Sequence, residues 1–346
     1  MRAAVYQGIE RIEVKDVPDP VCPRDGLVIR VEACGLCGSE VRTFYQGTSY
    51  HKPGAILGHE VVGVVQEVGR DAPRYQAGDR IACGPAVPCG ECYYCQRGMQ
   101  NLCENEYPHP FPMGFAQYMA VPGQAIRYGA VAEIPEGLAF EAATLAEPLS
   151  SVTKTHMMLG TSLFDSVAVI GAGPVGCMHV EMARLRGATR IMQSEMTPAR
   201  VETARAFGAD VLIDASSENV LERVMQETNG RGADIVVCAA PSTKAAAEAV
   251  RMARKGGKIV WFAGLPSSDP TIHVDGNRVH YRDLIIYGTI GFTPRHFRMA
   301  LELIASKKID ARKYISGTLS LDEIVAGIQA VKQGRVIKLV VLPNGR

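Results

Sequence analysis

The sequence predicts an α/β protein, a doubly wound parallel sheet accompanied by a separate β-rich domain, and three features of its 346 residues carry that prediction. A short apolar strand, Val167 to Ile170, runs into a glycine loop and a helical pattern, and a second strand follows that ends on an acid at Glu195. After this unit strand and helix patterns alternate, as they do where parallel strands are joined by crossover helices. Before it, residues 1 to about 85 carry short β runs separated by turns and no long helical pattern. A chain of this length exceeds what one core usually supports, so two domains are expected.

Bulk composition narrows the partners. The chain has 37 basic and 36 acidic residues and a net charge of +1, so no overall field draws it to nucleic acid or to an anionic membrane. Met1 to Glu10 alternates in polarity and lacks the apolar run of a signal peptide. The longest charge-free stretch, Tyr107 to Ile126, contains Pro108, Pro110, Pro112 and Pro122 and cannot be one membrane-spanning helix. A cytosolic protein is expected, with no nucleic-acid or membrane partner. Its ten cysteines should then stay reduced, and five of them, Cys22, Cys34, Cys83, Cys177 and Cys238, read as packing residues.

In chain order, Val28 to Cys34, Glu60 to Val68 and Asp79 to Cys83 read as strands. Within this part lie Cys34-Gly35-Leu36-Cys37-Gly38-Ser39-Glu40 and, about twenty residues on, Gly58-His59-Glu60. Cys37 and His59 are ligand types that zinc prefers, although a Cys and a His this far apart are, taken alone, more often unrelated core or loop residues. Cys89, Cys92, Cys95 and Cys103 are separated by two, two and seven residues, a spacing that lets four thiolates surround one ion as in a closed structural zinc site. A redox pair or an iron–sulfur cluster is the alternative. A proline- and glycine-rich stretch, Tyr107 to Glu141, turns helical near Phe140, and Glu147 stands in apolar surroundings before Pro148. It is either a helix-end glutamate facing solvent or an oxygen ligand, since an unpaired buried carboxylate is costly.

Gly171-Ala172-Gly173-Pro174-Val175-Gly176 then follows the strand, and its helix ends near Gly187-Ala188. The glycines permit a tight turn and the approach of backbone N–H groups to a pyrophosphate, which the positive end of the helix favours. Glu195, 19 residues beyond Gly176, can accept from a ribose hydroxyl and would repel a 2′-phosphate, so NAD is expected over NADP, with Arg200 as an adenosine-side contact. Further strands are read at Val211 to Ile213, Asp234 to Val237, Lys258 to Phe262 and Leu284 to Tyr287, and helices at Thr197 to Phe207, Val220 to Thr228 and Thr243 to Arg254. The tail, with helices Pro294 to Ser306 and Leu321 to Gln333 and a strand Val336 to Leu342, is expected to pack on the first domain.

Together, Cys37-Gly38-Ser39, Gly58-His59-Glu60, the four-cysteine lobe, Glu147-Pro148-Leu149 and Gly171 to Gly176, in this order, resemble the zinc-containing medium-chain dehydrogenases from about Arg2 to Leu342. Glutamate at 147 is similar to the sorbitol and polyol dehydrogenase branch. The resemblance implies a GroES-like β-rich catalytic domain over 1–152, a Rossmann dinucleotide-binding domain inserted at 153–292, and a return segment over 293–346. It implies two zinc ions per chain, a catalytic one at Cys37 and His59 completed by Glu60, Glu147 and water or substrate, and a structural one in the cysteine lobe. It further implies a proton relay through Ser39, a phosphate contact from Lys338 and a homo-oligomer, dimer or tetramer. The expected reaction is NAD-dependent oxidation of a secondary alcohol of a polyol, cyclitol or sugar derivative. Threonine or a simple alcohol is the alternative substrate, and a non-catalytic zinc- and nucleotide-binding protein is the alternative from another class. Four departures from the family pattern stand out. Glu40 replaces the usual aspartate beside the zinc-bound histidine, so that contact must reach farther or find another route. Arg42 takes the place of a relay histidine, Met113 to Tyr118 lacks the family's first glycine and its glutamate, and His280 to Asp283 reads as either a surface turn or a contact segment.

Overall fold

The computed structural model describes residues 1–48, 51–72, 74–105, 111 and 113–345. Pro108, Pro110 and Pro112 of the expected proline-rich stretch lie outside the described residues. The chain divides into two compact units, Met1–Ser151 with Gly291–Arg346, and Val152–Ile290.

The first unit contains strands β1 (Arg2–Gly8), β2 (Arg11–Asp16), β3 (Leu27–Leu36), β4 (Glu60–Val68), β5 (Arg80–Cys83), β6 (Tyr118–Val121) and β7 (Val131–Glu133). The second contains β8 (Ser166–Ile170), β9 (Arg190–Glu195), β10 (Val211–Asp214), β11 (Ala233–Cys238), β12 (Ala253–Trp261) and β13 (Ile285–Gly288), and the chain returns to the first with β14 (Ile315–Leu319) and β15 (Lys338–Val341). The first unit is built on a sheet of order β14-β15-β3-β4-β5-β7, with β6 also on β3 and a separate β1-β2 hairpin. Its core joins Leu27, Ile29, Val31, Leu36, Val61, Ile81, Phe115 and Met119 from the sheet region to Ile324 and Ile328 of the return segment.

The second unit is a six-stranded sheet of order β10-β9-β8-β11-β12-β13, parallel throughout. Strand order reverses between β8 and β11, and the crevice at the carboxyl ends of those strands is where ligands enter folds of this type. Val167, Ala168 and Val169 are buried on both faces, which explains the unbroken apolar run of a central parallel strand.

Several local expectations are corrected. A nine-residue helix, Gly38–Gln46, stands in the β-rich unit where none was foreseen. The helix expected over Thr243 to Arg254 stops at Met252, because Ala253 is already extended and opens β12. Leu321–Glu323, expected as α-helix, is a tight 3₁₀ turn leading into the helix Ile324–Lys332. Of the cysteines assigned to packing, Cys34, Cys83, Cys177 and Cys238 are buried, while Cys22 is only half-buried.

Candidate active site

Cys37 follows β3 and is the N-cap of the helix Gly38–Gln46, with an extended backbone. Glu40 closes the cap, its Oε2 accepting the Cys37 N–H at 2.9 Å. Its other oxygen, Oε1, lies 2.5 Å from His59 Nδ1. The glutamate thus reaches the histidine from the first helical turn, turning Nε2 the other way. His59 arrives on a turn that needs glycine, since Gly58 has φ +98° and a Cβ there would lie 2.9 Å from Cys34 Sγ and from the Phe115 ring.

Glu60 opens β4 opposite Gly35 of β3, fully buried. A Cβ on Gly35 would fall 1.8 Å from Glu60 Oε2, so glycine makes the room for this carboxylate. Oε1 of Glu60 is ion-paired with Lys338, whereas Oε2 has no hydrogen-bond partner among the described residues. Glu147 stands in the first turn of the helix Ala146–Leu159, where the helix dipole favours an acid and Pro148 costs no backbone bond. Its Oε2 is 3.9 Å from His59 Nε2. Donor atoms of Cys37, Glu40 and His59, and those of His59, Glu60 and Glu147, lie within 4.8 Å of one another.

The electrostatics follow from burial and crowding. Burial would lower His59, but Glu40, Cys37 and Glu147 outweigh it and hold the imidazole well above its ordinary value. Burial pushes Glu147 up to about 7, with Glu60 and Glu40 adding to the shift and His59 and Lys338 opposing it. Lys338, which burial alone would lower, is raised by the Glu60 charge. Sulfur, imidazole and carboxylate donors crowded around a buried, unpartnered oxygen suit a divalent ion of zinc's borderline character.

The sequence-derived set is therefore brought together at Cys37, His59, Glu60 and Glu147. Lys338, expected at a cofactor phosphate, is 2 % exposed and its ammonium is ion-paired with Glu60. Ser39 is near the cluster by sequence, and its Oγ is buried without a hydrogen-bond partner among the described residues. Arg42 is exposed.

The four-cysteine lobe is a second cluster. Cys89 and Cys95 sulfurs are 4.0 Å apart and those of Cys92 and Cys103 are 3.8 Å apart. A tetrahedron with Zn–S bonds of about 2.3 Å has edges of about 3.8 Å, so the spacing matches a closed zinc site and is far too wide for disulfides. Backbone N–H groups of Glu91 and Cys92 point at the Cys89 sulfur. Hydrogen bonding of the same kind draws Cys92 down to about 6, while burial pushes Cys95 up to about 12.

In the second unit, a cavity of about 720 Å³ opens at the switch point, lined by Gly171, Gly173, Glu195 and Arg200 among others. Pro174, Val175 and Gly176 continue the loop into the helix Pro174–Leu185. A Cβ on Gly176 would lie 2.1 Å from Gly171 O, whereas one on Gly173 would meet nothing within 4 Å, so the first glycine serves packing and the second faces free space. Ser216, Ser217, Asn219, Ser242 and Lys244 also line the cavity and were missed from sequence. Their signal was positional, because they follow the carboxyl ends of β10 and β11.

Residues 23–134 match the family profile described as the alcohol dehydrogenase GroES-like domain, and residues 174–306 match that described as zinc-binding dehydrogenase. A sorbitol dehydrogenase of Bacillus subtilis is 31% identical, with 99% of this chain and 98% of that protein covered. The chain belongs to the zinc-containing medium-chain dehydrogenases. Within that family it is also similar to a probable D-xylulose reductase A of Aspergillus terreus, at 28% identity over 97% of this chain and 96% of the other. Among solved structures, an alcohol dehydrogenase from a Thermus species superposes with a TM-score of 0.87 at 31% identity, each chain covered to 99%. A putative zinc-binding dehydrogenase from Sinorhizobium meliloti, bound to NADP, has a TM-score of 0.90 at 28% identity, again with 99% of both chains covered. As a zinc-containing medium-chain dehydrogenase the chain is an oxidoreductase that uses zinc and a nicotinamide cofactor. Among the described residues no helix is long and apolar enough to cross a membrane.

Proposed function

We propose that this chain oxidises a secondary alcohol of a polyol, cyclitol or sugar derivative with NAD, holding one zinc ion at Cys37, His59 and Glu147 and a second at Cys89, Cys92, Cys95 and Cys103. The observation that carries the proposal is the contrast between the two clusters. One consists of sulfur on every corner, which leaves no position for substrate, and the other mixes sulfur, nitrogen and carboxylate oxygen.

When bound, zinc supplies Lewis-acid polarisation of the substrate oxygen, and NAD accepts the hydride from the adjacent carbon. The chain does the rest. Glu40 holds His59 in one orientation through Nδ1, leaving Nε2 to the metal. Lys338 keeps Glu60 anchored by one oxygen, so that the bare Oε2 can serve as an alternative ligand while substrate and water exchange. Ser39 takes the hydroxyl proton on Oγ and passes it toward solvent.

Polyols are favoured by the likeness to sorbitol dehydrogenase and D-xylulose reductase. A carboxylate in place of a thiolate also makes a harder ligand set, suited to substrates with two neighbouring oxygens. The likeness to an alcohol dehydrogenase favours a second reading, simple secondary alcohols. The protein is proposed to act in the cytosol as a homo-oligomer. An NADH-absorbance assay over a panel of polyols, sugar alcohols and simple alcohols, run with NAD and with NADP, tests the proposal. A higher kcat/KM with NADP would remove the cofactor assignment, and activity confined to simple alcohols would remove the substrate class.

A further inference from the structure

The glycine loop is gripped from one side by the last three residues of β9. Gly171 N–H donates to Ser194 O at 2.8 Å, and Gln193 Nε2 donates to Gly171 O at 3.1 Å. The third grip is a charged one, with Ala172 N–H donating to Glu195 Oε2 at 2.8 Å. The other oxygen of Glu195, Oε1, accepts the N–H groups of Met196 and Thr197, each at 2.9 Å. A carboxylate has about four lone-pair sites. Three backbone bonds occupy three of them, and one site on Oε2 is left.

A residue whose only task was to receive a ribose diol would not spend most of its accepting capacity on its own backbone. We infer that Glu195 is also a positioning residue: it pins the phosphate loop in its binding form before any nucleotide arrives, and reads the ribose through one remaining acceptor site. This inference rests on the proposed nucleotide role of the cavity. Bonds from N–H to a carboxylate are about twice as strong as neutral ones. The contact at Ala172 therefore joins the end of β9 to the turn whose N–H groups must face a pyrophosphate. Replacing Glu195 to admit a 2′-phosphate also releases that turn, so a change at this position alone weakens both cofactors and does not convert NAD preference into efficient NADP use.

The test uses the full-length holo-zinc protein without nucleotide, as wild type, Glu195→Ala and Glu195→Gln. The glutamine keeps one carbonyl oxygen, so it can satisfy Ala172 or the Met196–Thr197 pair but not both. Hydrogen exchange is measured over residues 168–176, followed by titration with inorganic pyrophosphate, which meets the loop but carries no ribose, and with NAD. The expected result, read on Glu195→Ala, is exchange at Ala172 faster by about tenfold or more, the loss of one charge-assisted bond, with Glu195→Gln lying between it and wild type. Pyrophosphate and NAD should both bind several-fold more weakly. Weakened NAD binding with unchanged exchange and unchanged pyrophosphate affinity would overturn the positioning role and leave the ribose contact standing. If exchange, pyrophosphate affinity and NAD affinity are all unchanged, both the positioning role and the assignment of Glu195 to the cofactor are wrong.

Discussion

Acid should loosen the second unit before carboxylate chemistry alone would do so, because two imidazoles are sealed inside it. His156 and His179 are fully buried, with His156 Nε2 3.1 Å from His179 Nδ1 and His156 Nδ1 2.9 Å from Thr161 Oγ1. His179 Nε2 has no hydrogen-bond partner among the described residues, and the ring meets Phe262 edge-on. Burial, with the Arg186 charge adding to it, draws His156 from 6.5 down to about 3, and burial draws His179 well below its ordinary value. Both rings therefore fold as neutral groups. Above pH 6.5 they are neutral in the unfolded chain too and protonation contributes nothing; as pH falls below 6.5 the unfolded chain takes up protons that the folded one refuses, and stability is lost down to the folded values. At pH 5 the unfolded His156 is protonated through about 1.5 pH units that the folded one is not, a cost of about 2 kcal/mol, and His179 acts in the same direction. Trp261, the sole tryptophan, lies in β12 of the same unit and reports its unfolding by fluorescence. With a urea dependence of 1–3 kcal/mol per molar, the midpoint should fall by about 1 M between pH 7 and pH 5. The double variant His156→Gln/His179→Leu will be less stable at pH 7 through its changed packing, so the comparison is of pH slopes. An equal midpoint shift in wild type and double variant would refute the assignment of acid sensitivity to this pair.

Other outcomes follow from the same geometry. If the four-cysteine lobe holds the proposed second zinc ion, Cys92→Ser should remove one zinc per chain by elemental analysis and lower the melting temperature, while the residual folded enzyme keeps most of its kcat. Ser39→Ala should retain zinc and cofactor binding but lose about 10²–10⁴ in kcat if its hydroxyl carries the proton; an unchanged kcat and pH profile would remove Ser39 from the reaction. Phe164 is 82% exposed and held at φ +70°, a conformation costing a non-glycine residue about 1–2 kcal/mol. Phe164→Gly should relieve it and, after the added freedom of the unfolded chain is subtracted, stabilise the second unit by about 1 kcal/mol. Calorimetry showing a lower melting temperature would indicate that the ring makes compensating contacts.

The parallel sheet was legible because its signals are local. Val167 to Ile170 is apolar without alternation, the glycines follow at once, and Glu195 closes the next strand, all within about thirty residues. The cysteine lobe was legible for the same reason, its four ligands lying within fifteen residues. By contrast, the helix Gly38–Gln46 escaped notice: its apolar stripe is short, and its stability comes from the capping contact of Glu40 and from packing.

Motif order alone was enough to nominate Cys37, His59, Glu60 and Glu147 as a set, but only the tertiary structure decided how they divide their tasks. Glu40 reaches His59 because the helical turn carries its longer side chain there, which residue type by itself does not reveal. Lys338 is drawn to Glu60 across 278 positions because β15 lies against β3 and β3 against β4, burying both charges side by side where each is costly alone. Glu195 was recognisable as the acid of a nucleotide motif. Its bond to Ala172 was not, since a hydrogen bond between the end of one strand and the loop after its neighbour depends on parallel register and backbone direction. Sequence determines which groups are available, and packing at long range determines which of their atoms remain free to act.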